Sequence, residues 1–494
     1  MKKSFLLMPS TALLAIVAGA IALNCRTAAP KPEQLESTLP LGATSTFAPV
    51  PLPDPGVAGY RFPEPEEVIV GWTQANDQKA INTHAWGLWT ALTLETKEVY
   101  ENQPLRVFET WVTPQDIQDL GEKALQATPR NPRRFTPFNQ FRLHAKSREL
   151  QMAGNGQETV TGFVKYDPSA AQHITSNNLF SQSNLCSMLQ AGQTQVPNFP
   201  NTAVSLKPVF QTLSAGSLVN GRYYMLANWP GTPGQPKPFP STDWGQCIWV
   251  DIQDTSSAPG SGQVDTTCNP NGSSRTAATT YGVGQFIHFQ LEAQTAQRIN
   301  ALRASAGAKA APVNGGDFAI LVAMHVTSRE MTRWTWQTYW WVPNPSSPLA
   351  PSSAEIAALR PPQLTGAAAN YAHCNAYSML QPPQPNTGGK NVGAPVYCFN
   401  PWLEAGFGPS DLPDSEPLEY GGQTLANNVG VQTNCMSCHA QANFPEPKSH
   451  GQAPCLTNQD PPAYTGDRYV DLDSPDFKGT LKVDFLWSIA DTAK

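Results

Sequence analysis

The chain has 494 residues, 40% apolar and 14% charged, with 13 Trp, 47 Pro and 9 Cys. This is enough apolar material for a large core, and a formal charge of -6 gives no basis for binding nucleic acid or an anionic membrane face. A mildly acidic surface is ordinary for a globular protein and also suits a basic protein partner.

The first residues, MKKSFLLMPSTALLAIVAGAIALNC, place two lysines before an apolar run from Phe5 to Leu23 and then small residues, the layout of an export signal. The run is long enough to cross a bilayer, yet Pro9 and the many small residues are those of cleaved signals. Three fates follow: cleavage after Ala20 or Ala22, lipidation of Cys25, or retention as a helix in the inner membrane. Asn24 departs from the small residue that lipoprotein processing prefers before its cysteine. Each fate puts the chain in the periplasm or at the cell surface, where thiols are oxidised. Loss of Lys2 and Lys3 with the signal would change the charge from -6 to -8. Residues 25–67 are Pro-rich with little apolar periodicity and read as an extended tether.

From residue 68 the composition becomes globular. The stretch NDQKAINTHAWGLWTALTLE has Asn76 or Asp77 as a cap and apolar positions at helical spacing, which predicts a helix. Strand-like runs follow at RVFETWV, TVTGFVKY, AVSLKPVF, RYYMLANW, CIWVDI, QFIHFQL, FAILVAMHV and TWQTYWWV. Helices are expected between them, at PSAAQHITSNNLFSQSNLCSML and TAQRINALRASA. The order is no strict alternation, so the fold class predicted is α+β: a large, mostly antiparallel β-rich region over 68–342. A Pro/Ser/Ala linker at 343–363 leads to a smaller, mainly helical or irregular region at 364–494.

That last region contains Cys435-Met436-Ser437-Cys438-His439, the attachment pattern of c-type haem. On one helical turn, positions i, i+3 and i+4 share a face. Two thiols can then add to the vinyl groups of one porphyrin while His439 reaches its iron. The competing reading is zinc, because Cys435, Cys438, His450 and Cys455 make C-x2-C-x11-H-x4-C. The export signal favours haem, attached outside the cytoplasm. With Cys435, Cys438 and Cys25 set aside, six cysteines remain, an even number suited to three disulfides. Cys247 with Cys268 and Cys374 with Cys398 each close a short loop, and Cys186 with Cys455 follows by elimination.

The sixth iron ligand decides the chemistry. No methionine follows Met436, a departure from small c-type cytochromes, and the downstream histidine is His450. Upstream candidates are His325, beside Met324 in FAILVAMHVTSRE and pointing to the opposite strand face, and Met379 in CNAYSML. His288 has a weaker case of the same kind. His84, His144, His173 and His373 lie in more polar stretches and read as structural or exposed. Trp334, Trp336 and Trp340 would share one strand face with Trp341 on the other, a pattern more often core than haem wall.

The haem motif makes the C-terminal region resemble a c-type cytochrome. The stretches HAWGLWTAL, AMHVTSREMTRWTWQTYWW and NCMSCHAQANF together look like a group of long secreted bacterial proteins known only as cytochrome c family proteins. The resemblance implies one covalent haem c, with Cys435 and Cys438 as thioether positions and His439 as proximal ligand. It implies no activity for the large N-terminal part. The leading expectation is one-electron transfer to a redox partner protein. The alternative is a single-haem peroxidase- or oxygenase-like enzyme with an open distal site, and a third reading is a surface-anchored binding protein whose haem is structural or sensory. No Ser/His/Asp pattern, P-loop or dinucleotide fingerprint offers another chemistry.

Overall fold

The computed structural model describes residues 44–135, 160–305, 310–377, 396–408, 418–420, 423–425, 428–430, 435–445, 455, 472–473 and 477–494. The expected leader, Cys25, His144, Met379 and His450 lie outside them. No described helix is long and apolar enough to cross a membrane.

The fold is α+β around one large sheet. Its seven strands, labelled in chain order, are β1 Val160–Gly162, β2 Lys165–Tyr166, β3 Val204–Leu213, β4 His288–Gln290, β5 Phe318–Ser328, β6 Thr335–Trp341 and β7 Tyr371–Ala376. The order is β7-β6-β5-β3-β1, with β4 pairing onto β5 and β2 onto β3, all antiparallel. The long strands are those with unbroken β-branched and aromatic runs, and both of their faces are covered.

Strand register sorts the residues into two faces. Lys207, His325, Thr338 and Cys374 stand in one row across β3, β5, β6 and β7; Ser205, Thr327, Trp336 and Ala376 form the row two residues along, on the same face. The row between them, Leu206, Val326, Gln337 and Asn375, points the other way, as does Pro208, Met324, Tyr339 and His373.

Helix α1, Gln78–Thr93, covers that second face. Asp77 caps it by accepting from the Ala80 backbone N–H. Its Trp89 stacks on Tyr339 with ring centroids 4.3 Å apart, and its Trp86 meets His373 edge-on at 4.5 Å. Tyr339 donates to the Ala85 carbonyl at 2.6 Å, and Asn375 to Asn82 at 2.8 Å. The first face is covered by the C-terminal part of the chain, through helices α2, Pro401–Glu404, and α3, Cys435–His439. One hydrophobic core runs from Trp86 to Ala490, so the C-terminal region shares the core of the β-rich region.

Several expectations change. Residues 44–67, read as tether, contribute a strand, Ser45–Phe47, that pairs with Thr128–Arg130, and Phe47 and Val57 are buried. Sparse single apolar residues show no periodicity, which hid this packing. RVFETWV, read as strand, contains a helical turn at Val107–Thr110, because the Glu109 carboxylate accepts from the Arg106 backbone N–H. Within the linker at 343–363, Ala354–Ala358 is helical. Trp334 precedes β6 with φ 60°, so it does not share the strand alternation of Trp336 and Trp340. The three disulfides pair Cys186 with Cys455, Cys247 with Cys268 and Cys374 with Cys398, as expected.

His84 and His373 are both fully buried. At His373 neither ring nitrogen has a hydrogen-bond partner, and burial, reinforced by the Arg360 charge, pushes its pKa down to about 3. The unfolded chain binds that proton near pH 6.5, so this histidine costs no stability above 6.5 and an increasing amount as pH falls toward 3. We expect His373 to remove roughly 1.4 kcal/mol of stability per pH unit in that window. Chemical denaturation at a series of pH values should therefore fall less steeply for His373→Phe than for the wild type.

Candidate functional site

Helix α3 is one turn, and it presents Cys435, Cys438 and His439 together; both cysteines lie outside the three disulfides. His439 Nδ1 lies 2.7 Å from the Phe485 carbonyl. Its ring lies over the Trp336 indole, centroids 4.2 Å apart, on the first face of the sheet. With Nδ1–H committed to a carbonyl, Nε2 is the nitrogen left with a lone pair.

The strand of backbone that supplies this carbonyl is unusual. Asp484 and Phe485 have φ of 47° and 69°, two successive non-glycine residues in left-handed conformation. Asp484 is fixed there by the Arg329 guanidinium at 3.2 Å and by the Phe199 backbone N–H at 2.9 Å. Two residues on, Trp487 donates its indole N–H to the Cys438 carbonyl at 3.2 Å. The tail from Asp484 to Trp487 thus grips α3 at both its cysteine and its histidine.

His325 stands on the same sheet face as Trp336, in the row of Lys207. Its Nδ1 is buried without a hydrogen-bond partner, while Nε2 lies 3.8 Å from Glu404 Oε1. Burial pushes its pKa down to about 3, with repulsion from Lys207 and from His439 adding to the effect. Burial likewise lowers His439 to about 4, against the Phe485 hydrogen bond and with Lys207, and lowers Lys207 to about 8, against Asp491 and Glu404. Both imidazoles are therefore neutral at pH 7. This side of the sheet carries two thiols and two neutral imidazoles, which among the described residues do not form a group close enough to hold one metal ion directly.

Met379 and His450, the other ligand candidates, lie outside the described residues. His288 is on β4 with Nδ1 held 2.8 Å from the Phe286 carbonyl, and His173 bonds the Pro197 carbonyl at 2.9 Å. Cys455 is joined to Cys186, which removes it from the four-ligand zinc set. Among the described residues the grouping with metal-ligand spacing is Cys247, Asp265 and Cys268, whose two cysteines are bonded to each other. Comparison settles nothing further. No family model, curated protein or solved structure matches the chain.

Sequence reasoning missed Asp484, Phe485, Trp487, Glu404 and Lys207. None stands in a motif; each acts through a backbone group or a contact far along the chain. The Arg329–Asp484 pair is buried, so removing one partner strands a charge. Asp484→Ala should lower stability by about 3–5 kcal/mol in urea denaturation, and Arg329→Met in the same chain should restore part of the loss.

Proposed function

We propose that the chain is an exported c-type cytochrome with one haem, in which Cys435 and Cys438 hold the porphyrin through thioether bonds and His439 takes one axial position. When bound, the haem supplies a one-electron ferric/ferrous couple. The observation that carries this reading is the hydrogen bond between His439 Nδ1 and the Phe485 carbonyl, because it leaves Nε2 as the metal-binding nitrogen and fixes the ring plane. The donor set fits the group: two thiols three residues apart on one turn, and a second imidazole, His325, with an unpartnered buried nitrogen on the same sheet face. His325 would take the second axial position, and Trp336 against the His439 ring would keep water from that side. Filled axial positions make a carrier, and the β-rich region would then dock a redox partner protein.

The leader argues for the periplasm or cell surface, and three disulfides suit an oxidising compartment. Cys25 or an uncleaved N-terminal segment would tether the protein to a membrane. One observation favours the enzyme reading instead. Glu404 stands 3.8 Å from His325 Nε2 and, if it held that imidazole away from the iron, the pair would handle protons at an open position of a peroxidase- or oxygenase-like site.

Optical and EPR spectra of the purified mature protein, with and without carbon monoxide, separate these readings. The carrier predicts low-spin signals indifferent to carbon monoxide, conversion to a high-spin, carbon monoxide-binding form in His325→Leu, and loss of covalent haem in Cys435→Ser/Cys438→Ser. A wild type that is high-spin and binds carbon monoxide moves the assignment to the enzyme. A protein without haem absorption removes both.

A further inference from the structure

On the α1 side of the sheet, away from the cysteine motif, lies a run of buried polar groups. The Gln337 amide nitrogen donates to Thr335 Oγ1 and to the Tyr377 hydroxyl, both at 2.8 Å. The Tyr377 hydroxyl lies 2.6 Å from His84 Nδ1 and donates to it when the imidazole carries its hydrogen on Nε2. In that tautomer His84 Nε2 donates to Glu330 Oε1 at 3.0 Å. Glu330 also accepts from the Glu64 backbone N–H at 2.7 Å and from the Ser328 hydroxyl. Each of these three neighbours is able to donate to the carboxyl. The side chains of His84 and Glu330 are both 0% exposed.

Other buried tyrosines are wired differently. Tyr339, Tyr371 and Tyr281 donate to the carbonyls of Ala85, Leu321 and Gln263, groups that do not take up a proton. The Tyr60 hydroxyl is buried without a partner, although its ring fills the notch at Gly87 and lies 5.4 Å from His84. Tyr377 has a base at hydrogen-bond distance, and that base has an anion behind it.

This is the arrangement that makes a phenol oxidisable. Losing an electron alone would leave a buried cation, and losing a proton first is opposed, since burial and then the Glu330 charge push the Tyr377 pKa well up. Moving the proton to His84 in the same step avoids both, because the imidazolium so formed is paired with Glu330.

We propose that Tyr377, His84 and Glu330 form a proton-coupled redox site, in which Tyr377 gives one electron to a high-potential, metal-centred one-electron acceptor. The phenolic O–H bond breaks and an N–H bond forms at His84 Nδ1. The products are a neutral phenoxyl radical, an imidazolium paired with Glu330, and an acceptor reduced by one electron. Trp72, half-buried at the surface with its ring 5.8 Å from His84, marks the way out for the electron. The site stands whether or not the Cys435–His439 turn binds haem.

The test is flash oxidation of the full-length protein by photogenerated tris(bipyridine)ruthenium(III), with the radical followed by EPR and optical absorption. The wild type should give a long-lived tyrosyl radical that is absent in Tyr377→Phe. His84→Gln, whose amide can keep both hydrogen bonds but cannot take up the proton, should form the radical on the order of a hundredfold more slowly. The proposal is overturned by a folded wild type without such a radical, by an unchanged yield in Tyr377→Phe, or by an unchanged rate in His84→Gln. Should Tyr377→Phe fail to fold, the His84→Gln rate decides alone.

Discussion

The two-residue period of strand β6 is the constraint on which both sites depend. Trp336 turns to the C-terminal side, against His439, and Gln337 turns to the α1 side, against Tyr377. A slip of one residue would exchange the two sets and place a glutamine amide against the histidine ring. The register is held on both sides of β6, by six consecutive pairs with β5 and six with β7. It is held from above and below as well. Tyr339 is pinned to α1, and Thr338 accepts from Asn400, just ahead of α2, at 2.7 Å.

The two faces are closed by different means. A sixteen-residue helix with many apolar contacts covers one face and needs little else. The turn α3 is far too short to be stable alone, so its position must come from what grips it. That grip is the tail, with the Phe485 carbonyl on His439, the Trp487 indole on the Cys438 backbone and Asp484 anchored to Arg329. Left-handed conformation at two adjacent residues is costly, on the order of 1–3 kcal/mol each, and here it aims one carbonyl at one imidazole. The Cys186–Cys455 bond, 269 residues apart in sequence, ties the same C-terminal part to the helix Gln182–Gln190 and restricts the unfolded chain.

Legibility in the sequence followed the range of the interaction. The strands Val204–Leu213, Phe318–Ser328 and Thr335–Trp341 were readable because their side chains alternate or run apolar within a single window. The helix at Gln78–Thr93 was readable from its cap. The cysteine–histidine turn was readable because its three side chains sit within five residues. His84, read as structural or exposed, is buried, and its partners Glu330 and Tyr377 could not be read because they are 246 and 293 residues away. Phe485 was invisible for a different reason: it acts through its carbonyl, a group every residue has.

The two sheet faces also hold their histidines in different surroundings. On the C-terminal side burial first and Lys207 second hold His325 and His439 below the ordinary imidazole pKa, although Glu404 stands 3.8 Å from His325 Nε2, and His439 has a neutral carbonyl on Nδ1. Such imidazoles resist protonation, because loss of solvation disfavours the charged ring. On the α1 side His84 faces a carboxylate across 3.0 Å, with a phenol on its other nitrogen. That carboxyl also accepts from the Glu64 backbone N–H, so these buried polar groups are satisfied by one another. On one side of the strand burial dominates the setting of the imidazoles, and on the other a hydrogen-bonded run from Tyr377 through His84 to Glu330 does.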